Sequence, residues 1–326
     1  MSHSPDTLFP KAGDRVELQN KIEPQFTSAA EQTRLSWARL VRSVEELPPV
    51  YRPFVDALPT AGTFPYAVLT PTFAGFLRRE PEKLVCSVGN RLYVADKGKG
   101  ELVATCYAFA DIHYLEMGAV LLNDWLQIRG RTLDGTSAVT RFKFNAVTER
   151  LFTPFVEKIR GAANYAPGVD RDAELQKFDS ADLLSFKFKN YARRCILSGA
   201  QIIASVAQPE IRKTVVKVLG HSFQRTLATA HLLILTDREL IIIHDDSDSP
   251  RSADVTRYGG VWEYIPLNKI TGVDQTEQEA GLLALTVQLP HGDHVEVLFQ
   301  PDRRVELERF LSHLIEWAPD SKRLRA

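Results

Sequence analysis

Leu84-Val-Cys-Ser-Val-Gly-Asn-Arg-Leu-Tyr-Val-Ala95 aligns without a gap on Leu232-Leu-Ile-Leu-Thr-Asp-Arg-Glu-Leu-Ile-Ile-Ile243. Each segment is two short apolar runs around a polar turn, the pattern of a β-hairpin. Its recurrence 148 positions later makes the chain an internal repeat.

Working outward, Tyr107-Ala-Phe-Ala-Asp-Ile112 matches Tyr264-Ile-Pro-Leu-Asn-Lys-Ile270, with one extra residue in the second copy. A further hairpin follows in each. In the second, Leu283, Leu285, Val287 and Leu289 alternate, Pro290-His-Gly-Asp293 turns, and Val295, Val297 and Phe299 alternate back. Both copies end alike: Phe144 and Phe155 are spaced as Phe299 and Phe310 are. Leu307, Phe310, Leu311, Leu314 and Trp317 form the face of a closing helix that Asp302 is placed to cap. In the first copy Leu151, Phe152, Phe155 and Ile159 do the same, with Pro154 either starting or kinking the helix.

A length of 326 residues suits two domains of ~150 residues. The expected divisions are a flexible tail over 1–27, an amphipathic helix over 28–48, domain 1 over 50–160, a linker over 161–178 and domain 2 over 179–318. The helix is read from Leu35, Ala38, Val41 and Val44, which recur every three residues and stop at Pro48-Pro49. The linker is read from turn formers without periodicity between Gly161 and Asp172. A net charge of −1 argues against a nucleic-acid binder. Cys86, Cys106 and Cys195 have neither zinc-ligand nor redox spacing, which points to reduced thiols in a cytoplasmic protein. No apolar run approaches the length of a membrane span, and the N-terminus lacks the pattern of a signal peptide.

A run of short antiparallel strands closed by one helix resembles the pleckstrin-homology superfold. The second copy is similar to bacterial pleckstrin-homology-like domains in three segments: Leu197-Ser-Gly-Ala-Gln-Ile-Ile-Ala-Ser-Val-Ala-Gln-Pro-Glu210, the hairpin 232–243, and Tyr258-Gly-Gly-Val-Trp-Glu-Tyr-Ile-Pro-Leu267. The first copy, about 50–160, resembles them more weakly. The resemblance implies a mainly β, α+β chain of two tandem sandwich or barrel domains, each capped by a C-terminal helix. Members of the superfold bind phosphoinositides or proteins, so fold alone does not choose the ligand.

The most basic stretch, residues 178–226, holds eight Lys or Arg against three Asp or Glu, whereas 227–326 holds ten against seventeen. Lys187, Lys189, Arg193, Arg194, Arg212, Lys213 and Lys217 are therefore the candidate ligand-binding residues for an anionic lipid or acidic partner. Against this, Leu184, Phe188, Tyr191 and Cys195 make a helical apolar stripe, and the lysines opposite read as its solvated face.

His244-Asp-Asp-Ser-Asp248 lacks the glycine and glutamate of an EF-hand loop, and His291-Gly-Asp-His294 lies in a tight turn, so neither is read as a metal site. Lys97-Gly-Lys-Gly-Glu101 lacks Walker spacing and reads as an interstrand loop. Asp111 and His113 alternate on a strand and form the one candidate acid–base pair. Trp125, Trp262 and Tyr258 are either partner anchors or core. The expectation is a non-enzymatic binding or scaffold protein without cofactor or metal. Its partner is a protein or a second copy of itself; the alternative is peripheral attachment to anionic lipid.

Overall fold

The computed structural model describes residues 37–60, 62–74, 79–97, 101–161, 169–178, 185–218, 221–246, 259–278 and 281–318. The first half contributes β1 (Arg39–Val41), β2 (Tyr66–Leu69), β3 (Phe73–Ala74), β4 (Arg79–Glu80), β5 (Lys83–Val88), β6 (Arg91–Lys97), β7 (Leu102–Val120), β8 (Asn123–Thr132) and β9 (Ser137–Asn145). The second contributes β10 (Ile202–Gln208), β11 (Ile211–Val218), β12 (His221–Ala228), β13 (His231–Thr236), β14 (Glu239–His244), β15 (Gly260–Pro266), β16 (Gly272–Glu277), β17 (Leu283–Gln288) and β18 (His294–Phe299). The helices are α1 (Arg52–Asp56), α2 (Thr153–Ile159), α3 (Arg171–Gln176), α4 (Phe186–Cys195) and α5 (Arg304–Trp317).

The two halves pair their strands in the same order. The quoted hairpins are β5–β6 and β13–β14; β2 or β10 flanks the first strand, and β7 or β15 the second. A separate hairpin, β3–β4 or β11–β12, is inserted after the flanking strand. A meander follows, β7–β8–β9 or β16–β17–β18, and then the closing helix.

The register corrects the repeat alignment. Leu92 faces Tyr107 and Leu240 faces Ile265, so Tyr107 occupies the place of Ile265 rather than Tyr264. Ile112 and Ile270 keep the same offset, and no extra residue is needed. The halves differ in how they pass from sheet to meander. β7 runs through bulges between Tyr107 and Tyr114 as one strand, whereas β15 stops at Pro266 and a 3-10 turn, Leu267–Lys269, precedes β16.

Two separately closed sandwiches were expected, and here the structure differs. The outer edge of β7 pairs antiparallel with β15, Leu115–Ala119 against Tyr264–Gly260. One open eleven-stranded sheet therefore runs β1-β2-β5-β6-β7-β15-β14-β13-β10, with β8 and β9 branching from β7. The described residues belong to one compact unit. The fold is α+β and mainly β, and no described helix is long and apolar enough to cross a membrane.

Both faces of the central strands β5, β6, β13, β14 and β15 are buried, and alternate residues of the two hairpins serve different cores. Leu92 and Val94 of β6 join Phe142, Phe144, Phe152 and Phe155 in the largest core, while Tyr93 and Ala95 pack with Tyr51, Val55 and Leu58. Leu240 and Ile242 of β14 join Phe299, Leu307, Phe310 and Leu314, while Ile241 and Ile243 enter the largest core. That largest core thus fills the first half and also covers the back of the second, under α2, α3 and α4.

The predicted 28–48 helix is corrected where it is described; residues 28–36, and the tail over 1–27, lie outside the described residues. Arg39–Val41 is an edge strand on β2 and Val44–Glu46 a 3-10 turn. Ala38 enters the largest core and Val41 the core around Tyr51. Apolar residues three apart read as one helical face, yet in an extended segment they point to opposite faces. The expected linker holds α3, and Leu175 and Phe178 enter the core. α2 starts at Thr153 with Pro154 in its first turn. Asp302 lies in a 3-10 turn, Pro301–Arg303, and does not cap α5, whose N-cap residue is Arg303.

Cys86 and Cys195 are buried and Cys106 is half-buried; none is in a disulfide. Burial pushes the Cys86 and Cys195 thiols up to about 12. A bulky maleimide is expected to label only Cys106 in the native protein within minutes, and all three thiols in denaturant. Equal native labelling of Cys86 or Cys195 contradicts this packing.

Candidate functional site

The junction of the halves concentrates the charged and aromatic groups. Gly118 leaves room on β7 for Trp125, since a Cβ there would lie 1.9 Å from its Cζ2. Gly259 enters β15 at φ +96°, and its Cβ would lie 2.5 Å from the Ala119 carbonyl oxygen. Glu116 and Glu263 then face each other across the strands. Glu116 accepts from Trp125 Nε1 at 2.6 Å and Tyr114 Oη at 3.1 Å, and Glu263 bonds His244 Nε2 at 3.0 Å. Burial alone would depress His244, but the Glu263 bond and the charges of Glu263 and Glu116 hold it above its ordinary value.

Beside this seam lies a cavity of about 180 Å³, lined in part by Glu149, Arg160, Arg194, Cys195, Trp262 and Tyr264. Arg160, just beyond α2, is buried with Glu239 of β14 and donates to its two oxygens at 2.6 and 3.1 Å. It also donates to the Cys195 carbonyl at 2.7 Å and stacks 3.9 Å from the Tyr264 centroid. Burial alone would lower the Arg160 pKa; the Glu239 carboxylate and Tyr264 outweigh it and keep the guanidinium charged. Arg194 pairs with Glu149 and stands 5.8 Å over Trp262. Arg160 and Arg194 in the lining are thus each paired with a carboxylate, and burial raises the Cys195 thiol.

Asp124, at the start of β8, is buried with one oxygen unbonded. Burial, then the Glu149 charge, raise its carboxyl to about 7 against the pull of Arg194. Such a raised carboxyl favours folding below pH ~3.8 and loses that contribution as pH climbs through 7. His231 works in the opposite sense. Burial lowers it to about 4, although its Nδ1–H donates to the Thr229 carbonyl at 2.9 Å. A depressed histidine contributes fully above its unfolded pKa of ~6.5, and the contribution is lost as pH falls toward 4. Urea unfolding is expected to show His231→Leu losing about 2–3 kcal/mol less stability than wild type between pH 6.5 and 4. Parallel pH profiles in the two proteins contradict this role.

The seven basic candidates are divided between two elements, α4 and β11. Lys187, Lys189, Arg193 and Arg194 lie on α4, which packs Phe188, Ala192 and Cys195 into the largest core. Lys187 Nζ bonds Asp245 at 2.6 Å, and Arg194 pairs with Glu149. Arg212 and Lys213 lie on β11 beside a groove with Leu282, Pro301 and Asp302, and Arg212 Nε bonds Glu210 at 2.8 Å. Lys217 is on β11 as well.

Asp111 and His113 are also separated. A bulge at Ile112 breaks the alternation, leaving Asp111 exposed and His113 buried. His113 Nε2 instead bonds Asp293 in the β17–β18 turn at 2.8 Å, with the His291 ring 6.0 Å away. No group of three or more metal-ligating residues occurs among the described residues. Tyr258, Asp248 and residues 98–100 lie outside the described residues.

Arg160, Glu239, Asp124 and Glu116 carried no signal in the sequence reading, because the charges that face them are 79, 25 or 147 positions away. The one available hint was Trp262-Glu263-Tyr264, where an acid interrupts an aromatic strand. No family model matches the chain, and no curated protein matches it.

Proposed function

We propose that this chain is a non-enzymatic, intracellular binding or scaffold protein of two tandem pleckstrin-homology-like halves, which recognises a protein partner by adding a strand to an open sheet edge. The observation that supports it is the β7–β15 junction, in which the chain joins two of its own sheet edges over five residue pairs. Edge pairing supplies main-chain hydrogen bonds, and side chains on either face supply selectivity. β16 offers such an edge, since among the described residues it pairs only with β17. The unpaired thiols accord with a reducing compartment. Attachment to anionic lipid is the weaker reading: Lys187, Arg194 and Arg212 are held by Asp245, Glu149 and Glu210.

Gln275→Pro tests the reading. Gln278 N donates to the Leu282 carbonyl across β17, so by alternation the Gln275 N–H points away from β17. Proline there removes no ladder bond within the molecule but blocks an incoming strand. Tagged wild type cross-linked in its own cells is expected to retain proteins, further copies of the chain included, that the variant loses. Equal recovery of the same set by both sinks the edge reading.

A further inference from the structure

The repeat turns the internal junction into a template for an external one. β7 from Leu115 to Ala119 corresponds to β16 from Val273 to Glu277, and β15 from Gly260 to Tyr264 corresponds to β7 from Leu102 to Cys106. The internal seam uses one edge of each kind. The two remaining edges are the outer side of β16 and the outer side of β7 at Leu102–Thr105. Resting on the edge-recognition reading above, we infer that the partner at these edges is a second copy of this chain, head to tail, with β16 of one molecule pairing antiparallel with Leu102–Thr105 of the next.

Copying the internal register places Gln275 opposite Ala104 of the second copy, where Met117 faces Trp262 in the seam. It places Glu277 opposite Leu102 and Val273 opposite Cys106. The directions of the backbone groups test this register independently. Since the Gln275 N–H points away from β17, the outward groups of β16 are those of Val273, Gln275 and Glu277. On β7 the Cys106 carbonyl points outward, accepting from Leu133 N at 2.9 Å, so Leu102, Ala104 and Cys106 are the outward residues. In the copied register outward residues meet outward residues at Gln275–Ala104 and Glu277–Leu102, while the Cys106 carbonyl opposite Val273 stays with Leu133; a shift by one residue would set inward groups opposite them.

Burial points the same way. Val103 is 61 % exposed, while its counterpart Val261 is 4 % exposed because the seam covers it. Ala104 is exposed and its counterpart Trp262 is buried. The seam's opposition of Glu116 to Glu263 is relieved outside, where Asp274 would face Thr105. Leu133 occupies only the Cys106 end, leaving Leu102–Thr105 without a strand partner on that side among the described residues. Four residue pairs make a small interface, so the association is weak, and its unlike edges let copies add in succession.

Sedimentation of the purified 326-residue chain between about 10 µM and about 1 mM, the range of weak contacts, tests this. The weight-average mass of wild type is expected to rise from the 36.7 kDa monomer to beyond the dimer. Gln275→Pro and Ala104→Pro, each at an outward N–H, are expected to stay monomeric alone. Mixed in equal amounts they are expected to form dimers and stop, since Ala104→Pro keeps its β16 edge and Gln275→Pro its β7 edge. Circular dichroism checks that each is folded, and Thr276→Lys with Val103→Lys replaces the pair if either is not. Wild type that stays monomeric throughout, variants that associate as wild type does, or a mixture that remains monomeric each overturns the inference. Cross-linked capture of a different protein, lost in Gln275→Pro while the purified chain is monomeric, would leave edge recognition standing and remove self-association alone.

Discussion

Arg160→Met is expected to lower the unfolding free energy by about 3–5 kcal/mol, a large part of the ~5–15 kcal/mol of an ordinary domain. The loss arises mainly from what remains: Glu239, 2 % exposed, would become a buried carboxylate without its counter-charge. The Cys195 carbonyl would lose its guanidinium donor, and the Tyr264 ring its stacked cation. Arg160 follows the helix that closes the first half, Glu239 belongs to the hairpin of the second, and Cys195 ends the helix packed across both. The pair is therefore a staple between the halves. Replacing both partners, Arg160→Met with Glu239→Met, is expected to recover most of the loss, because no charge is left buried. Urea unfolding followed by fluorescence and circular dichroism provides the measurement. A single variant that loses less than about 1 kcal/mol shows the pair to be solvated.

Trp262→Ala is expected to cost about 3–5 kcal/mol for a different reason. Trp262 is 1 % exposed, packs edge-on against Tyr191 at 4.8 Å, and lies under Arg194. Its indole N–H has no hydrogen-bond partner, so its contribution is packing. Truncation leaves a cavity beneath α4 and on β15, the strand that carries the seam. Trp262→Phe, which keeps a ring, is expected to lose less than half as much. Because β7 and β15 share one sheet, both variants are expected to unfold in a single transition at lower denaturant. A wild type or variant that melts in two separate steps, one per half, contradicts the continuous sheet. Equal losses in the alanine and phenylalanine variants contradict the packing role.

The two halves of the fold were not equally legible. Hairpins β5–β6 and β13–β14 are local, and their alternation and turns are written within twelve residues each. The closing helices were legible from their aromatic spacing, whereas Pro154 left a start or a kink open until the structure placed it in the first turn of α2. The stretch around Ala38 and Val41 misled because residues three apart share a helical face but point to opposite sides of an extended chain, and here each side meets a core. The Tyr107–Tyr264 match misled for a similar reason: aromatic identity outweighed strand register, and only the pairing with Leu92 and Leu240 shows that Ile265 is the counterpart. The Asp111–His113 pair assumed unbroken alternation, which the bulge at Ile112 removes.

The sequence by itself determined that the chain is a β-rich repeat, that each copy ends in an amphipathic helix, and that its cysteines have no zinc or redox spacing. Those properties follow from local periodicity and turn chemistry, which short segments carry complete. Only the tertiary structure decided that β7 joins β15, that Arg160 meets Glu239, and that Lys187, Arg194 and Arg212 are held by acids. Each depends on which strand edge meets which, and a strand edge presents backbone groups that are the same for nearly every residue type. The side chains that choose between edges act from far along the chain, so their pairing is fixed by the folded sheet and leaves no pattern in either segment alone.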